Sequence, residues 1–345
     1  MTLRLIAAGS VLALAFAGCS QSYTPPPVPG AGGSAQGATR LIAPPRSKLN
    51  FFQVPERASW PEAITSGPLG KLWFTDEYSS TIASIGTDGT ITEFPINGQE
   101  VEGITAGADG NLWFTEPGAN MIGKMTPSGT PTLFQITGSN PSPRGIAQGP
   151  DGNMWAVELY DGYLDRITES GTITRFQIAG QYSSPWDITA GPDGDLWFTD
   201  SFLNTIDRFN PTTLQFDKAI SVPTQNATPW GILLAPDHHI WFTERTGNKI
   251  AVVGKGNKVT EFPISEPKSY PEKLAAGSDG LLWFVDSQTG NIGSINPKTG
   301  KFNPVIQLSS TSIPQSLAAG SDGNIWFTVA AYNLPGQIGQ VVIKK

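Results

Sequence analysis

A tryptophan returns seven times at nearly constant spacing, in Leu72-Trp73-Phe74, Leu112-Trp113-Phe114, Met154-Trp155-Ala156, Leu196-Trp197-Phe198, Ile240-Trp241-Phe242, Leu282-Trp283-Phe284 and Ile325-Trp326-Phe327. The intervals are 40, 42, 42, 44, 42 and 43 residues. Short apolar runs and Gly-rich turns recurring at this period, with no helical periodicity, exclude a leucine-rich repeat and match one four-stranded propeller blade per repeat. A large ring at one position of every blade is what packing between blades requires, so these seven tryptophans are read as scaffold.

The second repeat shows the strands. Gly103-Ile104-Thr105-Ala106-Gly107 reads as the inner strand, Ala108-Asp109-Gly110 as a hairpin turn, and Asn111 to Glu116 as the next strand. A third strand follows at Met121 to Met125, then a turn at Pro127-Ser128-Gly129 and an outer strand around Thr132 to Ile136. In the first repeat the outer strand is Ile91 to Ile96, and its Pro95 suits an edge that needs no ladder donor. The last repeat has only three strands before Lys345, whereas Leu49-Asn50-Phe51-Phe52-Gln53-Val54 resembles the outer strands Leu133 to Ile136 and Arg175 to Ile178. The expected fold is therefore all-β: a seven-bladed β-propeller of four-stranded antiparallel blades over residues 47–345, closed by an N-terminal strand (about 48–55) that completes the last blade.

The 39 Gly and 29 Pro fall largely in turns between short strands. A net charge of −7 with 15% charged residues and no basic cluster argues against a nucleic-acid partner. Before the repeats, Arg4, the apolar run Leu5 to Phe16 and Ala17-Gly18-Cys19 read as a lipoprotein signal peptide over residues 1–18, with cleavage before Cys19 and lipid on its thiol. Cys19 is the sole cysteine. Residues 19–46, rich in Pro, Gly, Ala and Ser, read as a tether. The expectation is a monomer held by its lipid in a bacterial cell envelope. Because Ser20 follows the cysteine, a host with two membranes would carry it on the outer one, at the periplasmic face or the cell surface.

Equivalent positions of the blades locate the candidate site. Just before each inner strand stand Glu62, Glu102, Arg144, Trp186, Trp230, Glu272 and Gln315, the first slot. Fourteen residues later, ending each tryptophan strand, stand Asp76, Glu116, Glu158, Asp200, Glu244, Asp286 and Val329, the second slot. Positions 102 and 116 are equidistant from Asp109 in the turn, so both slots are expected to face one mouth of the central channel. Converging carboxylates repel one another or recruit a cation, and oxygen ligation suits Mg²⁺ or Ca²⁺. The alternative for the second slot is a structural one, carboxylates accepting hydrogen bonds from backbone amides, repeated six times. The first slot varies more and supplies the ligand-binding candidates, with Trp186 and Trp230 able to stack on a ligand ring or simply to cap the channel. The only histidines, His238 and His239, replace turn residues at the far end of the hairpin, out of reach of the mouth. No Walker loop, zinc motif, nucleophile elbow or dinucleotide fingerprint is present.

The phrase Gly191-Pro192-Asp193-Gly194-Asp195-Leu196-Trp197-Phe198-Thr199-Asp200, with Ile91 to Ile96 as outer strand, resembles the virginiamycin B lyase (streptogramin lyase) family and, more distantly, the NHL and SMP-30 propellers. The resemblance spans roughly residues 48–345 and implies seven blades. It also implies an elimination that opens a cyclic depsipeptide at its ester, with a histidine base in the first slot of the last blade. Magnesium carboxylates two before and fourteen after that base, and a substrate-contacting histidine in the first slot of the preceding blade, complete the implied set. The matching positions hold Gln315, Ile313, Val329 and Glu272, none with the required group. The leading expectation is thus a binding propeller for a small-molecule or protein ligand without lyase chemistry. The alternatives are a diverged metal-dependent lyase or lactone hydrolase using Mg²⁺ or Ca²⁺ at Glu62, Glu102, Glu272 and neighbouring carboxylates, and an envelope scaffold acting through its rim loops.

Overall fold

The computed structural model describes residues 48–344 apart from 56–58, 97, 99, 179–181 and 333. The expected signal peptide, Cys19 and the tether to residue 46 lie outside the described residues. Seven antiparallel sheets follow one another along the chain, each ordered from an inner strand through the tryptophan strand to an outer strand. In the second blade these are Ile104–Ala106, Leu112–Glu116, Met121–Met125 and Pro131–Gln135. Outer strands of the fourth and sixth blades are each broken in two, at Gln215–Phe216 with Ile220–Ser221 and at Lys301–Phe302 with Ile306–Gln307. Among the described residues there is no α-helix, only short 3₁₀ turns.

The N-terminal strand closes the ring. Lys48–Gln53 pairs antiparallel with Gln337–Val342, from Lys48 opposite Val342 to Gln53 opposite Gln337, and so supplies the missing fourth strand of the last blade. Gln337–Val342 is thereby paired on both sides, and the last blade reaches four strands like the others.

Each tryptophan packs into the core of the blade that follows. Trp73 lies with Ile104, Leu112 and Phe114 of the second blade, and Trp326 of the last blade lies with Ile64, Leu72 and Phe74 of the first. Burial of about 200 Å² per indole at ~25 cal/mol/Å² stabilises each junction by about 5 kcal/mol. The Asp-Gly turns fix those rings: the indole N–H of Trp155 donates to Asp151 at 2.9 Å and that of Trp197 to Asp193 at 3.1 Å, with Trp113, Trp241, Trp283 and Trp326 bonded likewise four residues after an aspartate. The buried donor is thereby satisfied.

Two further devices repeat. The outer-strand phenylalanine stacks on the tryptophan of its own blade, Phe94 on Trp73 at 5.5 Å, Phe262 on Trp241 at 5.5 Å and Phe52 on Trp326 at 5.4 Å. Phe52 also wedges over Gly89 of the first blade, whose φ of 87° and lack of a Cβ admit the ring. Nearer the axis, a threonine of the tryptophan strand bridges blades. Thr243 Oγ1 accepts from Gly231 N at 2.9 Å and donates to the Glu272 carbonyl of the next blade at 2.7 Å; Thr75, Thr115, Thr199 and Thr328 donate in the same way to Glu102, Arg144, Trp230 and Glu62. These carbonyls belong to first-slot residues, so the bridge fixes the backbone of the candidate site.

Candidate functional site

All seven first-slot residues border one cavity on the propeller axis. It is small, about 30 Å³, room for about two waters. The side chains fill the mouth. Trp186 and Trp230 stack on each other with ring centroids 3.5 Å apart, and both outer faces are covered, Arg144 lying 5.0 Å from the Trp186 ring and Arg245 4.4 Å from that of Trp230. Of the two expected roles for this pair, the geometry is that of a cap: no ring face is left between them for a ligand.

Arg144 is ion-paired with Glu102, and Arg245 donates to Glu272 at 3.1 Å and stands 5.2 Å from the Tyr270 ring. Ser287 Oγ donates to Glu272 at 2.5 Å. Burial raises the carboxyls of Glu102 and Glu272 above the usual range despite those partners. Glu62 has no salt-bridge partner among the described residues: burial, then repulsion from Glu102, Glu77 and Glu272, holds it well above the usual carboxylate range. One position after the first slot, Lys273 Nζ of the sixth blade meets Asp187 Oδ1 of the fourth at 2.7 Å, past the fifth blade, and Asp187 Oδ2 accepts from Ile232 N at 3.0 Å.

The second slot is placed differently from the expectation. Instead of lining the mouth, its side chains are buried in the loops. The cause is a β-bulge at the start of the inner strand: Pro61 pairs with Asp76 and the register then shifts before Ile64, as it does in the third to seventh blades. The extra residue turns the first-slot side chain toward the axis and leaves the second-slot side chain facing away. Asp76 accepts from Trp60 N at 2.8 Å and Ser79 N at 3.4 Å, Asp200 from Ser184, Phe202 and Leu203 N–H groups, and Asp286 from Tyr270, Gln288 and Thr289 N–H groups. In each case the carboxylate pins the residue two before the first slot. Glu158 is bound by Arg175, with Asp165 beside it, and burial followed by Glu158 raises the Asp165 carboxyl well above the usual range. Glu244 is pushed up to about 7 by burial and by Glu261. Glu116 is fully buried, and Val329 sits in an apolar cluster with Val285 and Leu317.

Asp76, Glu116, Glu158, Asp200, Glu244 and Asp286 therefore do not converge as ligands for Mg²⁺ or Ca²⁺. Among the described residues no three His, Cys, Asp or Glu side chains are grouped to hold a metal ion, so this donor set does not fit one. His238 and His239 lie exposed in the turn between Pro229–Leu234 and Ile240–Glu244, at the end of the hairpin remote from Trp230, as their place in the sequence indicates.

The mouth also contains residues outside the two slots. One position after the first slot the blades carry Ala63, Gly103, Gly145, Asp187, Gly231, Lys273 and Ser316; one after the second they carry Glu77, Pro117, Leu159, Ser201, Arg245, Ser287 and Ala330. The signal for Asp187, Lys273, Glu77 and Arg245 is thus in the sequence: charge where the other blades are small or uncharged. At Gly231 a Cβ would overlap the Glu272 carbonyl, which shows how little space that layer has.

Comparison with known proteins agrees with the fold. The profile of the virginiamycin B lyase family matches residues 42–217 and 215–344. No curated protein matches the chain significantly. Among solved structures, a catalytically inactive histidine-to-alanine variant of virginiamycin B lyase from Staphylococcus aureus, crystallised with quinupristin, is 32% identical with a TM-score of 0.79, over 86% of this chain and 99% of that one. A streptogramin B lyase is 31% identical with a TM-score of 0.80, over 86% and 98%. The WD40 propeller domain of Doa1, 14% identical with a TM-score of 0.68 over 85% and 97%, shares the fold.

Proposed function

This chain belongs to the virginiamycin B lyase family, and from that premise we propose that it is a lipid-anchored, extracytoplasmic propeller that holds a ligand at its axial mouth without the ring-opening chemistry. The observation that carries this reading is the last blade. The resemblance calls for a histidine base at Gln315, and an amide cannot take a proton at neutral pH. The carboxylate positions around it are Ile313 and Val329, and Val329 is 2% exposed among apolar side chains. The histidine-to-alanine lyase is catalytically inactive; here the only two histidines are on the wrong end of the fifth blade.

What remains is a mouth lined by charged and aromatic side chains whose backbones are fixed by threonine bridges, a preorganised surface for recognition. Anchoring rests on Cys19. Lys48 pairs with Val342 and Gln53 with Gln337, which in turn faces Val329, so the strand from the tether enters at the end of the blade remote from the mouth.

The reading is tested by incubating the soluble domain with quinupristin and Mg²⁺ and separating cyclic from opened depsipeptide by chromatography, for wild type, Glu102→Ala and Glu272→Ala. It predicts cyclic depsipeptide alone in all three. Catalytic opening by wild type that Glu272→Ala abolishes would establish the diverged metal-dependent lyase instead.

A further inference from the structure

Charge at the mouth is compensated unevenly. Glu102 has Arg144, Glu272 has Arg245 and Asp187 has Lys273. Glu62 and Glu77 of the first blade form no salt bridge among the described residues. Burial, then Glu102 and Glu100, pushes the Glu77 carboxyl up to about 7.

Beside these two carboxyls stand three aromatic rings. Trp60, two residues before Glu62, has Tyr78 at 5.2 Å and Tyr332 of the last blade at 5.3 Å between ring centroids. Its side chain stands beside the Glu62 carboxyl. The corner is rigid, because Asp76 accepts from Trp60 N at 2.8 Å and Glu77 N donates to the Trp60 carbonyl at 3.0 Å. Trp60 is 9% exposed, whereas Tyr78 is 62% and Tyr332 47% exposed. Single exposed tyrosines are ordinary; two that rest on a pinned tryptophan, next to uncompensated carboxyls, make a surface with a defined complement.

We infer that this corner is a subsite for an organic cation, the protonated or quaternary amine of a small ligand, with its charge against Glu62 and Glu77 and its carbon substituents against Tyr78 and Tyr332. The inference rests on the mouth being a ligand site. An alkylated ammonium is weakly hydrated and gains from ring faces as well as from carboxylates. A divalent metal is the wrong complement: it requires several oxygen donors at close range, and rings supply none. An anion meets the repulsion that already raises Glu62. A neutral ligand could rest on the rings but would leave the carboxyls in the protonated form that burial favours, whereas a cation draws them toward the ionised form.

The test uses benzyltrimethylammonium as the cation, with benzyl alcohol and benzoate as neutral and anionic counterparts, titrated calorimetrically into the soluble domain. Binding of the cation alone is expected, weakened about tenfold by Glu62→Gln, by Glu77→Gln and by Tyr78→Ala. The two Gln variants should melt no lower than wild type, since they remove repulsion, so a loss of binding is not a loss of fold. Equal binding of benzyl alcohol, unchanged affinity in the Glu62→Gln/Glu77→Gln double variant, displacement of the cation by Mg²⁺, or no binding of any probe would each overturn the subsite. Sedimentation with phosphatidylcholine vesicles that depends on Glu62 and Glu77 would do so too, because it assigns the cation to a lipid headgroup. None of these outcomes bears on quinupristin opening, which judges the reading of the mouth separately.

Discussion

Replacing Phe52 by Ala should loosen the whole propeller, although residue 52 lies in the first described strand and far from the axis. Its ring stacks on Trp326 at 5.4 Å with 20° between planes and covers Gly89 of the first blade. The substitution thus removes a contact within the last blade and one across the closure at once. A fully buried Phe→Ala change costs about 3–5 kcal/mol, and Phe52 is half-buried, so about 2–3 kcal/mol is expected. For a domain of this size that is a fall in Tm of about 3–5 °C. Phe51, the next residue, points to the other side, is 42% exposed and meets Phe327 only edge-on at 6.0 Å. Phe51→Ala should cost about 1 kcal/mol or less. Thermal melts of both variants by circular dichroism make the comparison internal. Equal shifts, or a Phe52→Ala melt within about 1 °C of wild type, would refute the argument that the N-terminal strand locks the ring.

Other outcomes follow from the same structure. Glu244, at about 7 against an ordinary 4.5, and Asp207, at about 6 against 3.8, both raised first by burial, hold protons in the fold that the unfolded chain has lost. Their stabilisation is complete below the unfolded values and disappears as pH rises through about 6–7, so Tm should fall between pH 5 and 8, and Glu244→Gln should flatten that fall. Thr243→Val leaves Gly231 N and the Glu272 carbonyl without their shared hydroxyl and should lower stability by about 1–3 kcal/mol in denaturant titration. Mass spectrometry of the N-terminal peptide should show diacylglyceryl on Cys19 in wild type and none in Cys19→Ala; identical termini would remove the anchor from the account.

The fold was legible because its signals are local and repeated. The tryptophan spacing gave the blades, and the likeness of Leu49 to Val54 to other outer strands gave the closure, with the strand ending at Gln53 rather than near 55. The first slot was legible for the same reason: seven unlike residues at one position stand out against a repeating background, and they do meet on the axis. The second slot was not. Symmetry about Asp109 assumes a regular ladder, and the bulge after Pro61 and its counterparts adds a residue that no periodicity in the chain announces. Asp187, Lys273 and Arg245 were visible as charges among small or uncharged counterparts, but only the structure shows that Lys273 reaches past the fifth blade to Asp187 and that Arg245 covers Trp230. The corner formed by Trp60, Tyr78 and Tyr332 joins the first and last blades, so its parts are separated by most of the sequence.

The central claim, that this lyase-family propeller holds a ligand at its mouth without opening it, is met most directly by a single-turnover experiment. Quinupristin is mixed with the protein in molar excess and Mg²⁺, quenched at intervals and resolved chromatographically, since ring opening by elimination gives an isomer of unchanged mass. The account predicts that the cyclic ester is recovered intact at every time. Appearance of the opened isomer in proportion to protein, and its loss in Gln315→Ala or Glu272→Ala, would contradict it.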